Sequence, residues 1–286
     1  MKVRKAVITA GGWGTRFLPI TRSQPKEMLP LINKPLIHYA VEEAIDSGIE
    51  QIVLVTALGK NAIEDYFDRS FELEYFLEQK GEDILLKEMR ELSKLVNICY
   101  IRQKEQLGLG HAIRETQNII GDEPFAVLLP DDIIASQVPA LKQLLDVYQE
   151  HQATVVAVER VSAEDTAKYG IIEPEKISDR LYRVLSLVEK PEPHETPSNL
   201  GIVGRYILAP EIFDALRVTR PGKKGEIQVT DALQLMLKEQ PIMACEFEGI
   251  RHDTGNPLGW LKATLAFALN HPEIGPRLRE YLSELL

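Results

Sequence analysis

Short apolar runs, many of them rich in β-branched residues, alternate with helical patterns through the first half of the chain. The run Ala153–Val161 is continuously apolar at its centre, which is typical of a strand buried on both faces. Such strands alternating with helices predict an α/β fold, Rossmann-like, with three α/β/α layers around a mostly parallel mixed sheet. The other predicted strands are Lys5–Ala10, Gln51–Ala57, Asn97–Gln103 and Phe125–Pro130, and the predicted helices are Pro35–Ser47, segments up to Leu95 and one that begins near Gly110.

The pattern of predicted elements changes in the second half of the chain. Strands are predicted at Leu181–Glu189 and Leu200–Leu208, and the Pro-rich segment between them has no helical periodicity. We expect a mixed region with antiparallel strands that extends the same sheet. Thr230 and Asp231 are candidate caps of the first helix that follows. The helices predicted here are Val229–Glu239, Pro257–Leu269 and Pro276–Leu286.

Charge and composition argue against several classes of function. The 286 residues include 33 basic and 43 acidic residues, whereas a nucleic-acid-binding surface normally carries a basic excess. No stretch reaches the roughly 18 apolar residues of a membrane span. The apolar run near the N-terminus is too short for a signal peptide. Cys99 and Cys245 are predicted to be buried, reduced thiols. We expect a cytoplasmic protein that binds neither nucleic acid nor membrane.

A glycine-rich loop directly follows the first predicted strand and has the sequence AGGWGTR (residues 10–16). Glycines lack a Cβ, so their backbone N–H groups can approach an anion closely. Arg16 adds a guanidinium group that suits phosphate oxygens. Ligands of open α/β sheets collect outside the carboxyl ends of the strands, where this loop is expected. These features favour a phosphate-binding loop over a plain turn.

Two common phosphate loops do not fit this segment. A P-loop needs GxxxxGK followed by Ser or Thr, and that pattern is absent from the sequence. A dinucleotide fingerprint needs GxGxxG; Gly12 and Gly14 match its first two glycines, but Phe17 occupies the third position. A dehydrogenase is therefore disfavoured.

The loop and the segment PKEMLPLINKPLI (residues 25–37) together resemble the signature of the sugar-1-phosphate nucleotidyltransferases. The resemblance extends in order over residues 5–268. It implies the nucleotide-diphospho-sugar transferase type of fold, in which the loop holds a nucleoside triphosphate while Arg16 and Lys26 neutralise its charge. The sequence PKEMLP is similar to the corresponding segment of the bacterial UTP:glucose-1-phosphate uridylyltransferases within this family.

The segment QKEQLGLGHA (residues 103–112) joins a predicted strand to a helix. A glutamine amide offers both a donor and an acceptor, which suits the imide edge of uracil. The residues alone are equally compatible with an ordinary helix start. The resemblance implies that Gln103 and Gly108 contact uracil. His111 is expected to be structural.

Two acids, Asp131 and Asp132, end the apolar strand that begins at Phe125. Carboxylates beside a phosphate site are natural Mg²⁺ ligands, because Mg²⁺ prefers hard oxygens and shares its coordination with phosphates and water. By itself the acid pair is more typical of a solvated turn. The resemblance matches Asp131 to the family's metal-binding aspartate and Asp253, in the sequence HDTG, to its partner. Asp132 is not expected to be a direct ligand.

The segment EKP (residues 189–191) belongs to the expected sugar site, although alone it is more typical of a polar strand end. The resemblance implies that Glu189 accepts hydrogen bonds from sugar hydroxyls and that Lys190 meets the sugar phosphate. Neighbours in a regular strand point to opposite faces, so both can reach one ligand only if the strand ends or distorts there. Pro191 favours such an end. The other residues that the resemblance implies for this pocket are Gly170, Asn199 and Gly204.

The implied reaction is attack by a glucose-1-phosphate oxygen on the α-phosphorus of UTP, which yields UDP-glucose and pyrophosphate. A phosphate monoester has a second pKa of about 6, so the nucleophile needs no general base near neutral pH. Positioning, fixed cations and one Mg²⁺ are expected to carry catalysis. The expected catalytic residues are Arg16, Lys26, Asp131 and Lys190, the expected metal ligands are Asp131 and Asp253, and the expected nucleotide-binding residues are Ala10, Gly11, Gly12, Gly14, Thr15, Arg16, Lys26, Gln103, Gly108 and Asp131.

The resemblance implies a single nucleotidyltransferase domain over residues 1–286, with a nucleotide-binding half (1–161), a sugar-binding half (162–255) and C-terminal helices (256–286). UTP and glucose 1-phosphate are the expected partners, and a homo-oligomer, a dimer or a tetramer, is expected. Two alternatives stay open. One is another sugar-1-phosphate nucleotidyltransferase that uses dTTP, and the other is a catalytically silent regulatory paralogue that binds a nucleotide sugar.

Overall fold

The structure is a computed structural model that describes residues 1–222 and 225–285. Its strands are β1 (Lys5–Thr9), β2 (Pro30–Leu31), β3 (Lys34–Pro35), β4 (Gln51–Thr56), β5 (Asn97–Arg102), β6 (Phe125–Leu128), β7 (Asp132–Ala135), β8 (Thr154–Arg160), β9 (Gly170–Lys176), β10 (Leu181–Glu189), β11 (Leu200–Leu208), β12 (Ile242–Glu246) and β13 (Ile250–Asp253). The main sheet has the order β5-β4-β1-β6-β11-β8-β12-β10-β9, while β13 pairs with β7 and β2 pairs with β3.

Most strands of the main sheet run in one direction. The block β5-β4-β1-β6 is parallel throughout, and β8 is parallel to β12. Only β10 and β11 of these nine described strands run against the others. The prediction of a mostly parallel mixed sheet, with antiparallel strands in the second half of the chain, is confirmed.

The helices cover both faces of the sheet. Their bounds are α1 (Leu36–Asp46), α2 (Asn61–Phe67), α3 (Phe71–Lys80), α4 (Asp83–Leu92), α5 (Leu109–Arg114), α6 (Gln117–Ile120), α7 (Ala140–His151), α8 (Ile212–Val218), α9 (Val229–Met236), α10 (Pro257–Asn270) and α11 (Ile274–Leu285). Successive strand residues point to opposite faces. Thus Val7 joins the core beneath α5, α8 and α9, whereas Ala6 and Ile8 join the core beneath α1, α2 and α7. The three-layer α/β/α prediction is confirmed.

Several elements were not predicted from the sequence. The strand β9 contains Pro174 among charged residues, which argues against a strand. It is, however, the last strand in the sheet order, where proline is tolerated. The helix α7 buries Leu141, Leu144 and Tyr148 on one face, a spacing that was available in the sequence. The strand β12 and the helix α8 are short, and short apolar runs carry a weak signal.

The start of α9 corrects one expectation. The helix begins at Val229 and its N-cap is Gln228, whose side chain makes no capping hydrogen bond. Thr230 and Asp231 lie inside the first turn. Neither candidate cap, Thr230 nor Asp231, is therefore the N-cap of this helix.

The two cysteines differ in their environments. Cys245 lies buried in β12, and burial raises the pKa of its thiol to about 11. Cys99 lies in the edge strand β5 and is only half-buried. Both are free, so the expectation of a buried reduced thiol is confirmed for Cys245, whereas Cys99 is reduced but more exposed than expected.

The main sheet takes strands from both expected halves of the chain. The assignment of nucleotide binding to residues 1–161 and of sugar binding to residues 162–255 stays a prediction. Leu286, the predicted end of the last helix, lies outside the described residues. Among residues 1–222 and 225–285, none of the helices has both the length and the apolar character of a membrane-spanning segment.

The parallel strands bring three predicted segments to one edge. Residues 10–16 follow β1, residues 103–111 follow β5, and residues 129–131 follow β6. Because these strands are parallel, their carboxyl ends lie at the same edge of the sheet, where ligands of α/β proteins collect.

A ribbon of β9 and β10 reaches this edge by a different route. Glu189, the last residue of β10, pairs with Gly170 of β9. The next residue of β9, Ile171, pairs with Gly201 of β11, and Gly201 in turn pairs with Glu159 near the carboxyl end of β8. The antiparallel strand β10 therefore delivers its carboxyl end to the same rim as the parallel strands.

Candidate functional site

The glycine loop packs against two other predicted segments. Gly14 has φ +66°, and a Cβ there would lie 3.0 Å from Cγ2 of Thr21 and 3.2 Å from Cβ of Lys26. Glycine suits both the left-handed backbone and the lack of space. A Cβ on Gly11 would lie 2.7 Å from Oε1 of Gln103. The loop therefore contacts the Lys26 segment on one side and Gln103 on the other.

Lys26 forms an ion pair with Asp131, and the distance from Nζ to Oδ2 is 2.6 Å. Burial by itself lowers the pKa of Lys26, but attraction to Asp131 and Glu27 outweighs burial and raises that pKa. Burial by itself raises the pKa of Asp131, but Lys26 holds it below its usual value. Both groups are therefore charged near neutral pH.

The second expected metal ligand lies beside the first. A Cβ on Gly255 would lie 3.1 Å from Oδ1 of Asp253 and 3.2 Å from Oδ2 of Asp131. Thr254 holds the two segments together, since its N–H and its hydroxyl both donate to the carbonyl of Asp131 at 2.8 Å. Nη1 of Arg16 donates to the carbonyl of Gly255 at 3.2 Å. Two carboxylates and the Arg16 guanidinium group thus lie beside Gly255, and Lys26 pairs with one of these carboxylates.

The donor set of Asp131 and Asp253 fits a hard divalent cation that shares its coordination with a ligand. Within the described residues, no group of three or more His, Cys, Asp or Glu side chains is arranged to hold a metal. Mg²⁺ is commonly bound through one or two carboxylates together with substrate phosphates and waters. A carboxylate pair beside a glycine loop matches that requirement, whereas a fully protein-ligated metal would need more side chains.

Asp132 is committed to a different set of contacts. Its side chain is buried, and its Oδ1 accepts from Nε of Arg251 at 2.6 Å. Its Oδ2 accepts from the backbone N–H of Gly204 at 2.8 Å. A Cβ on Gly204 would lie 2.6 Å from Oδ2 of Asp132 and 2.7 Å from Cβ of Leu129. Gly204 therefore leaves space for the side chain of Asp132 behind the Asp131–Asp253 carboxylate pair. This contact was not predicted, since the resemblance implied only a place in the sugar pocket for Gly204.

Gln103 is buried in the segment that follows β5. Its Nε2 lies 2.8 Å from Nδ1 of His111 and donates to the carbonyl of Gly108 at 3.4 Å. Its backbone N–H donates to Thr56 of the neighbouring strand at 2.8 Å. His111 thus orients the Gln103 amide, which agrees with a structural role for this histidine.

A segment without an assigned role supports the Gln103 loop. The N–H of Ile227 donates to the carbonyl of Leu107 at 2.7 Å, and the N–H of Gly110 donates to the carbonyl of Ile227 at 2.9 Å. Gly108 has φ +94°, and a Cβ there would lie 2.8 Å from Cβ of Glu226. The glycines of this loop are therefore required at least in part by close contact with Glu226 and Ile227.

Glu189 and Lys190 come together at the end of β10. Lys190 has φ +47°, outside the range of a regular strand, and its Nζ lies 2.6 Å from Oε1 of Glu189. The expectation that the strand ends or distorts at this point is confirmed. A Cβ on Gly170 would lie 3.3 Å from Oε2 of Glu189 and 2.5 Å from Oγ1 of Thr230. These residues form one polar cluster, whereas Asn199 is exposed just before β11.

Two buried arginines behind the site were missed. Arg205 is 1% exposed and donates to Glu43 through Nε and Nη2 at 3.0 and 2.7 Å. Its remaining N–H groups reach the carbonyls of Leu129, Gly204 and Asp132. An arginine inside the apolar run LGIVGRYIL was the available signal, since a buried arginine needs partners. Arg251 is the second and lies on β13.

Comparison with known proteins identifies the family. The chain matches the sequence pattern described as nucleotidyl transferase over residues 5–268. The chain belongs to the nucleotidyl transferase family. Among curated members of the family, UTP–glucose-1-phosphate uridylyltransferase YngB of Bacillus subtilis (strain 168) is 52% identical over 285 residues, which cover 100% of this chain and 96% of that protein. The enzyme named UTP–glucose-1-phosphate uridylyltransferase of Staphylococcus epidermidis (strain RP62A) is 50% identical over 99% of both chains.

Solved structures of the nucleotidyl transferase family share this architecture. A UTP-bound UGPase from Acinetobacter baumannii superposes with a TM-score of 0.92 at 38% identity, over 99% of this chain and 100% of that chain. A UDP-glucose pyrophosphorylase complexed with UDP-glucose superposes with a TM-score of 0.86 at 44% identity, over 93% of this chain and 98% of that chain. The fold predicted from the sequence is therefore the fold of this family.

Proposed function

We propose that the protein transfers the uridylyl group of UTP to glucose 1-phosphate and releases pyrophosphate. The observation that carries the proposal is the cluster around Gly255, where two cations and two carboxylates lie beside the glycine loop. Relatives that are 50% and 52% identical over nearly the whole chain are named for this activity. The solved structures described as bound to UTP or to UDP-glucose support the same substrates.

The chemistry follows from charge. Both substrates are polyanions, and two unit charges about 4 Å apart repel by roughly 4 kcal/mol at an effective dielectric near 20. Arg16 and Lys26 neutralise the triphosphate in the proposed complex, and Lys190 neutralises the sugar phosphate. The phosphate nucleophile is already ionised near neutral pH, so the protein positions it rather than deprotonating it.

Asp131 and Asp253 are the proposed ligands of one Mg²⁺. The ion would supply a fixed positive charge to the phosphate oxygens as charge develops in the transition state. Lys26 pairs with Oδ2 of Asp131 and so holds this carboxylate in place. Oδ1 of Asp131 and the carboxylate of Asp253 are the further oxygen donors for the ion.

The two ends of UDP-glucose are assigned to two polar clusters. Gln103, held by His111 and close to Gly11, is proposed to pair with the imide edge of uracil. Glu189 is proposed to accept hydrogen bonds from the sugar hydroxyls over Gly170. The nearness of Lys190 to Glu189 supports its proposed contact with the sugar phosphate.

Replacement of Gln103 by leucine is expected to lower kcat/KM for UTP about tenfold, because the imide edge of uracil loses its amide partner in a buried site. The KM for glucose 1-phosphate should stay within twofold of the wild-type value. Initial rates of UDP-glucose formation at varied UTP measure the effect, and thermal denaturation shows whether the loss of the His111 contact destabilises the fold. Gln149→Leu, at an exposed position of α7, is the matched control. An unchanged kcat/KM in Gln103→Leu would contradict the assignment.

The substrate assignment is tested by giving the purified protein UTP and dTTP separately, each with glucose 1-phosphate and Mg²⁺. Pyrophosphate release should be faster with UTP. Faster turnover with dTTP would establish the thymidylyl alternative instead. Tight binding of UDP-glucose in calorimetry without any pyrophosphate release would favour the silent regulatory paralogue. The expected cytoplasmic location and the homo-oligomer stay predictions.

A further inference from the structure

Arg251 is a buried arginine that joins two parts of the proposed site. Its side chain is 8% exposed, and its Nε and Nη2 lie 2.6 and 2.5 Å from Oδ1 of Asp132. Its Nη1 pairs with Glu159 and donates to the hydroxyl of Tyr169 at 3.1 Å. The guanidinium carbon also lies 5.2 Å from the centre of the Tyr169 ring. One guanidinium thus contacts residues from three different segments of the chain.

On one side, Arg251 fixes the backbone that carries the proposed metal ligands. It lies two residues before Asp253 on β13, and Asp253 pairs with Asp132 across the β13–β7 ribbon. Asp132 directly follows Asp131. A shift of the Arg251–Asp132 pair would therefore change the separation of the Asp131 and Asp253 carboxylates.

On the other side, Arg251 fixes the segment that carries the proposed sugar-phosphate residues. Tyr169 directly precedes Gly170, the first residue of β9. The backbone N–H of Lys190 donates to the carbonyl of Tyr169 at 3.0 Å. The backbone at Gly170 and Lys190 is therefore attached to Tyr169, and the position of Tyr169 depends on Arg251.

We propose that Arg251 is a positioning residue that couples binding of the sugar phosphate to the geometry of the carboxylate pair, acting through Tyr169 and Asp132. The inference rests on the proposed function. Because coupling between two binding events is reciprocal, a ligand that orders the sugar side should tighten metal binding, and the metal should tighten binding of that ligand by the same factor.

Tyr169→Phe tests the coupling without disturbing the buried pair. It removes the hydroxyl that accepts from Arg251 but keeps the ring and the Arg251–Asp132 contacts. Calorimetry with UDP-glucose, with and without Mg²⁺, measures how much the metal tightens binding. We expect this factor to fall about three- to tenfold in Tyr169→Phe, as loss of one hydrogen bond of typical net strength predicts. The same factor measured with UTP, which carries no glucose, should stay unchanged.

Tyr182→Phe is the matched control. Its hydroxyl also accepts from an arginine, Arg160, at 3.0 Å, and it donates to Glu246 at 2.8 Å. The Mg²⁺ factor should equal the wild-type value in this variant. Equal factors for wild-type protein and Tyr169→Phe would overturn the coupling, and so would a loss of the same size for UTP and UDP-glucose. Wild-type protein that forms no UDP-glucose would instead overturn the proposed function and this inference together.

Discussion

Replacement of Asp131 by asparagine is expected to lower kcat for UDP-glucose formation by about 10³-fold. The amide keeps the shape of the side chain but removes the charge opposite Lys26, whose Nζ lies 2.6 Å from Oδ2, and it leaves only a neutral amide oxygen for the proposed Mg²⁺. Loss of a preorganised charge that acts on the reacting phosphates costs about 10²–10³ in rate, and loss of an anionic metal ligand adds to it. Pyrophosphate release at saturating UTP, glucose 1-phosphate and Mg²⁺ measures the effect.

Asp146→Asn provides the control for this experiment. Asp146 also forms an ion pair with a lysine, Lys142, but on the exposed surface of α7. Its replacement should leave kcat within twofold of the wild-type value. If Asp131→Asn released pyrophosphate at the wild-type rate, the carboxylate pair would not be the reaction centre.

Replacement of Arg205 by methionine is expected to lower the free energy of unfolding by about 3–5 kcal/mol. The substitution leaves Glu43 without its buried cation, and breaking a buried ion pair from one side costs about this much. It also leaves the carbonyls of Leu129 and Asp132, on either side of Asp131, without their donors. Urea denaturation followed by circular dichroism measures the change.

Two further variants separate the mechanism from a general loss of packing. Arg217→Met removes an exposed arginine that pairs with Asp214, and it should change stability by less than about 0.5 kcal/mol. The double variant Arg205→Met with Glu43→Met replaces both charges by apolar side chains and should recover part of the loss, since the unpaired buried charge is gone. An Arg205→Met protein as stable as the wild type would show that the buried pair contributes no net stability.

The continuous apolar strands were the part of the fold that the sequence predicted best. Leu200–Leu208 was predicted with the bounds that the structure has, and Lys5–Ala10 differs from β1 by one residue. Such strands are buried on both faces, so their pattern does not depend on distant partners. The strand β9 was missed because Pro174 and its charged neighbours are acceptable only at a sheet edge, and edge position is a property of the assembled sheet.

The candidate site also has one part that the sequence predicted and another part that it did not. The glycine loop, Lys26 and Asp131 follow strands directly, so motif and topology together predicted their common edge. The contacts that each side chain makes could not be predicted in this way. Asp132 binds Arg251, which lies 119 residues away in the sequence. Only the pairing of β13 with β7 creates that contact. Pro191, in contrast, was a local signal that correctly predicted the distortion beside Lys190.

The most direct test of the proposed site is a crystal structure of the protein with UDP-glucose and Mn²⁺ in place of Mg²⁺. We expect a single anomalous peak between the carboxylates of Asp131 and Asp253, with uracil against Gln103 and glucose against Glu189. A metal peak at other side chains, or UDP-glucose bound away from the glycine loop, would contradict a common site for the nucleotide, the metal and the sugar phosphate.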